Sequence, residues 1–166
     1  MKNHIFLFAA LFSFVLGNVQ AQDKTAKHEL TVNTEQSRIE TLLNSKNFEF
    51  LATSVKPRTG SSKNLVSNQY SIAFSPKNIY SHLPFYGRVY SGLNMGLHKG
   101  GHIEGEPEMF TVETNAKGYE VLAKVKDEND TFSISMIVSN SGYATLTISS
   151  NNRETISYMG EVVSAQ

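Results

Sequence analysis

The chain has no cysteine and no tryptophan, only four prolines, and no apolar run long enough to cross a bilayer. Each absence excludes something. Without cysteine there is no disulfide, no thiol nucleophile, no Cys-ligated zinc and no lipid-bearing cysteine of the bacterial lipoprotein type. Stability must come instead from apolar burial and backbone hydrogen bonding. Without tryptophan one preferred stacking platform for sugars is missing, although seven tyrosines and ten phenylalanines remain. An excess of one charge is missing too: 15 Lys and Arg balance 15 Asp and Glu over 166 residues. A near-neutral chain with interspersed signs has no general field to draw it to nucleic acid or an anionic membrane, so neither is expected as a partner. Also absent are the Gly-x-Ser-x-Gly elbow, the phosphate loop, the dinucleotide fingerprint and His-Glu-x-x-His. No cofactor or catalytic group is therefore expected, and a hydrolase is the lowest-ranked reading.

What is present begins with a leader. Lys2 precedes a nearly unbroken apolar run from Ile5 to Leu16, followed by Val19-Gln20-Ala21 in the small-residue pattern that signal peptidase accepts. About a dozen apolar residues are too few for a membrane span, which needs roughly twenty. Residues 1–21 are expected to be a secretory signal cleaved near Ala21, leaving a periplasmic or secreted protein with neither membrane span nor lipid anchor. Cleavage would remove only Lys2 among the counted charges, for a net charge of −1. Residues 22–33 are polar and aperiodic and read as a flexible lead-in. Residues 34–166 suit a single domain.

Asn33 or Thr34 reads as a helix N-cap, with Glu35, Gln36 and Glu40 near the positive end of the helix dipole. Ile39, Leu42 and Leu43 recur at helical spacing, so a short helix is expected over about 34–44. It is too short to be stable alone and must lie on something larger. From Phe48 onward the period becomes two. Tyr119, Val121, Ala123 and Val125 share one face of a strand, as do Phe132, Ile134, Met136 and Val138. Ala144, Leu146 and Ile148 repeat the pattern, and Ile156, Tyr158 and Val162 close it. Asn115–Gly118, Asp127–Asp130, Asn140–Gly142 and Ser150–Asn152 supply residues that tolerate tight turns. Five strands joined by four turns make an antiparallel meander.

Ahead of it, Phe48–Val55, Val66–Ser75 and Asn78–Leu83 read as three more strands, with a polar loop over Pro57–Asn64. Eight strands with one apolar face each must fold onto themselves. Consecutive hairpins favour a single antiparallel, mainly up-and-down eight-stranded β-barrel with the helix plugging or flanking one end.

Leu83-Pro84-Phe85-Tyr86-Gly87-Arg88-Val89-Tyr90-Ser91-Gly92 breaks this rhythm, then leads into a Gly-rich loop through Gly105. Its rings and guanidinium, Phe85, Tyr86, Arg88 and Tyr90, are the candidate ligand-binding residues, because ring faces and Arg together hold planar or anionic groups. The plainer alternative is that the rings cork one end of the sheet, with Arg88 over a ring or paired with a carboxylate. This block, the Ser45-Lys46-Asn47-Phe48-Glu49-Phe50 stretch after the helix, and Ala144–Arg153 with Ile156-Ser157-Tyr158-Met159-Gly160 resemble the family catalogued as domain of unknown function 4251. The resemblance spans nearly all of the chain after the leader. It implies an exported protein of a kind known mainly from Bacteroidetes and an all-β, lipocalin-like domain. It implies no activity and no site residues.

His98, His102 and Glu104 are weak metal candidates, since zinc accepts such ligands. The i, i+4 spacing of the two histidines needs a helix, which Gly100 and Gly101 oppose, so no metal is expected. Glu104, Glu106 and Glu108 read as a solvated acidic loop. The function expected first is a non-catalytic exported module holding a small apolar or amphipathic ligand at the barrel mouth. The alternative is an envelope interaction or scaffold protein with a filled barrel and a working outer surface.

Overall fold

A computed structural model describes residues 33–66, 69–90, 102–127 and 130–165. The expected signal and most of the lead-in lie outside them. Helix α1 occupies residues 33–44, so Asn33 and Thr34 lie inside the helix rather than capping it. Ile39 and Leu43 are fully buried and Leu42 is half-buried, as the helical spacing requires. No described helix is long and apolar enough to cross a membrane.

Ten strands follow: β1 (Phe48–Pro57), β2 (Lys63–Asn64), β3 (Ser71–Phe74), β4 (Ile79–His82), β5 (Ile103–Gly105), β6 (Pro107–Asn115), β7 (Gly118–Lys126), β8 (Thr131–Ser139), β9 (Tyr143–Ser150) and β10 (Ile156–Ser164). They form one antiparallel sheet in the order β5-β4-β3-β1-β10-β9-β8-β7-β6, with β2 added to β1. The ladder of β6 to β10 is the predicted five-stranded meander, and β10 returns to pair with β1. Its register carries the core across the sheet. Val121 stands opposite Met136, Met136 opposite Leu146, Leu146 opposite Tyr158, and Tyr158 opposite Val55. All five are buried. Each such side chain removed from water contributes about 1.5–3 kcal/mol, which is how a chain without disulfides holds this sheet closed.

The two ends of the sheet order, β5 and β6, are neighbours in the chain with Glu106 alone between them. They run in the same direction, β5 pairing with β4 and β6 with β7. Gly105 brings β5 against β7: a Cβ there would stand 3.1 Å from Val125 Cγ1. Among the described residues the result is a nearly closed barrel from a ten-stranded sheet, nine strands in its closing order and β2 beside β1, rather than eight. The excess has two sources. Two residues of the expected loop 57–64 form β2. The strand before Asn115 extends back through Pro107 and, past Glu106, to Ile103, in the stretch expected to be a solvated acidic loop. There Ile103 is buried while Glu104 and Glu106 face outward, an alternation too short to stand out in the sequence. Within the expected strand over Val66–Ser75, of which residues 67 and 68 lie outside the described residues, the strand is Ser71–Phe74.

One end of the barrel is filled by phenylalanines. Phe48 and Phe74 stack with ring centroids 5.0 Å apart, and Phe110 lies 6.2 and 5.9 Å from them. Lys46 Nζ donates to the Phe110 carbonyl at 2.8 Å and sits 5.4 Å from that ring's centroid. Helix α1 is seated nearby: the Tyr119 hydroxyl donates to the Gln36 carbonyl at 3.5 Å.

Candidate functional site

The opposite end is covered by the segment that broke the sequence rhythm. After β4 the chain turns at Pro84, which has no N–H to offer a ladder. The Pro84 carbonyl accepts from the Tyr158 hydroxyl at 3.0 Å. Further along, the segment pairs with the turn between β9 and β10. Val89 bridges Arg153, Glu154 N donates to Arg88 O at 2.9 Å, and Tyr90 N donates to Asn152 O at 2.8 Å. The buried Glu154 carboxylate accepts from Arg88 N at 3.2 Å.

Between these ties Phe85 turns inward onto Arg153, a residue only 6% exposed. The guanidinium carbon lies 5.6 Å from the Phe85 centroid and 5.4 Å from that of Phe132. Its Nε is 3.8 Å from Asp130 Oδ2. Asp130 is itself buried, with Oδ1 accepting from Thr131 N at 2.8 Å and its carbonyl from Asp127 N at 2.9 Å. Two ring faces and a carboxylate around this buried cation stand in for part of its lost hydration. Burial pushes the Tyr158 hydroxyl above the usual tyrosine range, opposed by the nearby Arg153 charge and reinforced by Tyr86.

Little space remains between these side chains among the described residues. The cavity among Phe85, Ile103, Phe132, Ile148, Arg153 and Tyr158 measures ≈ 10 Å³, about the room one water needs. The rest of the segment points outward. Tyr86 and Val89 are each 44% exposed and Tyr90 is 59% exposed; Arg88 is exposed as well. Lys63 Nζ lies 4.3 Å over the Tyr86 ring, so that ring is held in place by a cation–π contact on the outer surface.

The sequence pattern described as Domain of unknown function (DUF4251) matches residues 31–162. The chain belongs to the DUF4251 family. Its fold is similar to the crystal structure of a DUF4251 family protein from Bacteroides eggerthii DSM 20697, with TM-score 0.59 and 17% identity, covering 79% of this chain and 88% of that one. No match is found among curated proteins.

In this DUF4251 protein the four candidate ligand residues do not share one hollow. Phe85 lines the inner cavity, whereas Tyr86, Arg88 and Tyr90 sit on the outer surface. The ring-and-carboxylate role considered for Arg88 is filled by Arg153. Sequence reasoning missed Arg153, Asp130 and Glu154, because Arg and acids in turns normally read as solvated. The one cue was that Arg153 falls inside a block shared with the family. Of the weak metal candidates, His98 lies outside the described residues. His102 and Glu104 do meet, Nε2 to Oε2, at 3.4 Å, while His102 Nδ1 lies 3.1 Å from the Ser81 carbonyl. Among the described residues no group of three or more His, Asp or Glu could hold a metal ion.

Proposed function

We propose that this DUF4251 protein is an exported, non-catalytic interaction module, working outside the cytoplasm as the expected leader suggests. Its barrel is a filled scaffold, and its working surface is the outward side of residues 86–90 with Lys63. The observation that carries this reading is the contrast at one barrel end: among the described residues the inner cavity measures ≈ 10 Å³, while outside Tyr86, Val89 and Tyr90 stand exposed on a backbone braced from both directions. A drug-sized ligand needs a pocket of about 300 Å³ or more. Exposed aromatics on a fixed backbone suit binding of another protein, since little conformational freedom is lost on contact.

The test is paired. Tyr86→Ala with Tyr90→Ala should fold with an unchanged unfolding midpoint and lose partners cross-linked to the wild type in the intact envelope. A small apolar ligand that raises the midpoint of the wild type, and fails to do so after substitution at Phe85 or Arg153, would place the function inside the barrel instead.

A further inference from the structure

A second surface lies on the barrel wall, away from residues 86–90, and does not depend on the reading above. The outward face of β8, β9 and β10 carries Ile137, Tyr143 and Met159, which are 46%, 69% and 50% exposed. They border an outer groove of ≈ 480 Å³ that also includes Lys117, Ser139 and Glu161. The wall can sink here because three small residues face inward in register: Ala144 opposite Gly160, and Gly160 opposite Ala52. A Cβ at Gly160 would overlap the Leu51 carbonyl oxygen, so the two backbones approach more closely than any other residue permits.

The charge order across this face is its own complement. At the level of Tyr143, Lys117 lies beside Gly118, which is opposite Ser139. Ser139 Oγ donates to the Tyr143 carbonyl at 3.0 Å, and Tyr143 is opposite Glu161. The order is cation, hydroxyl, aromatic, anion. A two-fold axis along the strands between Ser139 and Tyr143 reverses it in the facing copy. Lys117 then meets Glu161, and Tyr143 meets Ser139, each contact occurring twice. One level further, Ile137 is opposite Thr145 and Thr145 opposite Met159, so Ile137 meets Thr145 of the facing copy. Glu120, opposite Ile137 on its other side, meets Met159. No like charges oppose. Neither Lys117 nor Glu161 has an ion pair within its own chain among the described residues. With 15 charges of each sign, two copies do not repel at long range.

We infer that this face is a two-fold interface between copies of this chain, with Tyr143 as its anchor. Isologous pairing requires self-complementarity, and a projecting aromatic flanked by opposite charges provides it. Sedimentation equilibrium on the purified protein should give twice the chain mass. Tyr143→Glu should give the single-chain mass with an unchanged unfolding midpoint. Lys117→Glu and Glu161→Lys should each weaken association at least tenfold, and the double reversal should restore it. A wild-type protein of single-chain mass throughout, an assembly larger than two, or a dimer indifferent to both charge reversals would overturn the inference. If Tyr143→Glu fails to fold, the charge-reversal pair decides alone. Loss of association here with envelope cross-links intact leaves the 86–90 surface standing, and the converse separates the two proposals.

Discussion

The Tyr158 hydroxyl donates to the Pro84 carbonyl at 3.0 Å and so ties the barrel wall to the segment that corks it. Tyr158→Phe keeps the ring and removes the bond. It should cost about 1 kcal/mol in denaturant unfolding. Amide exchange at Tyr90 and Glu154 should speed up, because the segment then hangs on its remaining ties. Unchanged exchange there would show that the bond does not brace the cork.

Alkaline pH should reveal the same hydroxyl. Burial raises its pKa above the tyrosine value of about 10. Above that pH the unfolded chain releases a proton that the native state keeps, so stability present at neutral pH falls as pH rises. Tyr158→Phe should flatten the decline, as measured by unfolding free energy across alkaline pH.

Arg153 and Asp130 should behave as a unit. Arg153→Met strands a buried carboxylate and should cost about 3–5 kcal/mol, and Asp130→Asn should be costly for the converse reason. The double substitution should cost clearly less than the two singles added. A denaturation double-mutant cycle measures the coupling, and simple additivity would mean that the 3.8 Å approach is energetically idle.

Gly160→Ala should be among the most damaging single changes. Its new methyl would overlap the Leu51 carbonyl oxygen, where β10 meets β1 beside the irregularity between Ala52 and Ser54. A loss of about 3 kcal/mol or more is expected in thermal or denaturant unfolding. A near-neutral result would mean that the β1–β10 ladder slides easily.

These sites differ in how far the sequence disclosed them. Strands β7 to β10 were legible because each is long, alternates strictly and ends in Asn, Asp or Gly-rich turns; Val121, Met136, Leu146 and Tyr158 fall on one face as their period demands. The three-residue β5 and two-residue β2 are too short to show a period, and exist because pairing with β4 and β1 holds them. The segment at 84–90 was recognisable as unusual, yet which ring turned inward depended on Arg153, more than sixty residues away in the chain. A buried Arg in an Asn-Asn-Arg turn has no local signature. Its position follows from Phe132 and Asp130 closing around it, which is tertiary information.

Phe85 and Tyr86 are neighbours with opposite fates. Phe85→Ala removes a ring packed on Arg153 beside a nearly filled cavity and should cost about 3 kcal/mol. Tyr86→Ala exposes nothing new to the interior and should fall within about 0.5 kcal/mol of the wild type. Equal costs in denaturant unfolding would mean that both rings belong to the cork.

The filled interior is tested most directly by titrating the native protein with a long-chain fatty acid and with an apolar fluorescent dye, following binding at equilibrium. A packed barrel corked by Phe85 predicts no saturable binding to the wild type, with one site opening only after Phe85→Ala. Saturable binding of one ligand per chain to the unaltered protein, with a matching rise in its unfolding midpoint, would contradict it.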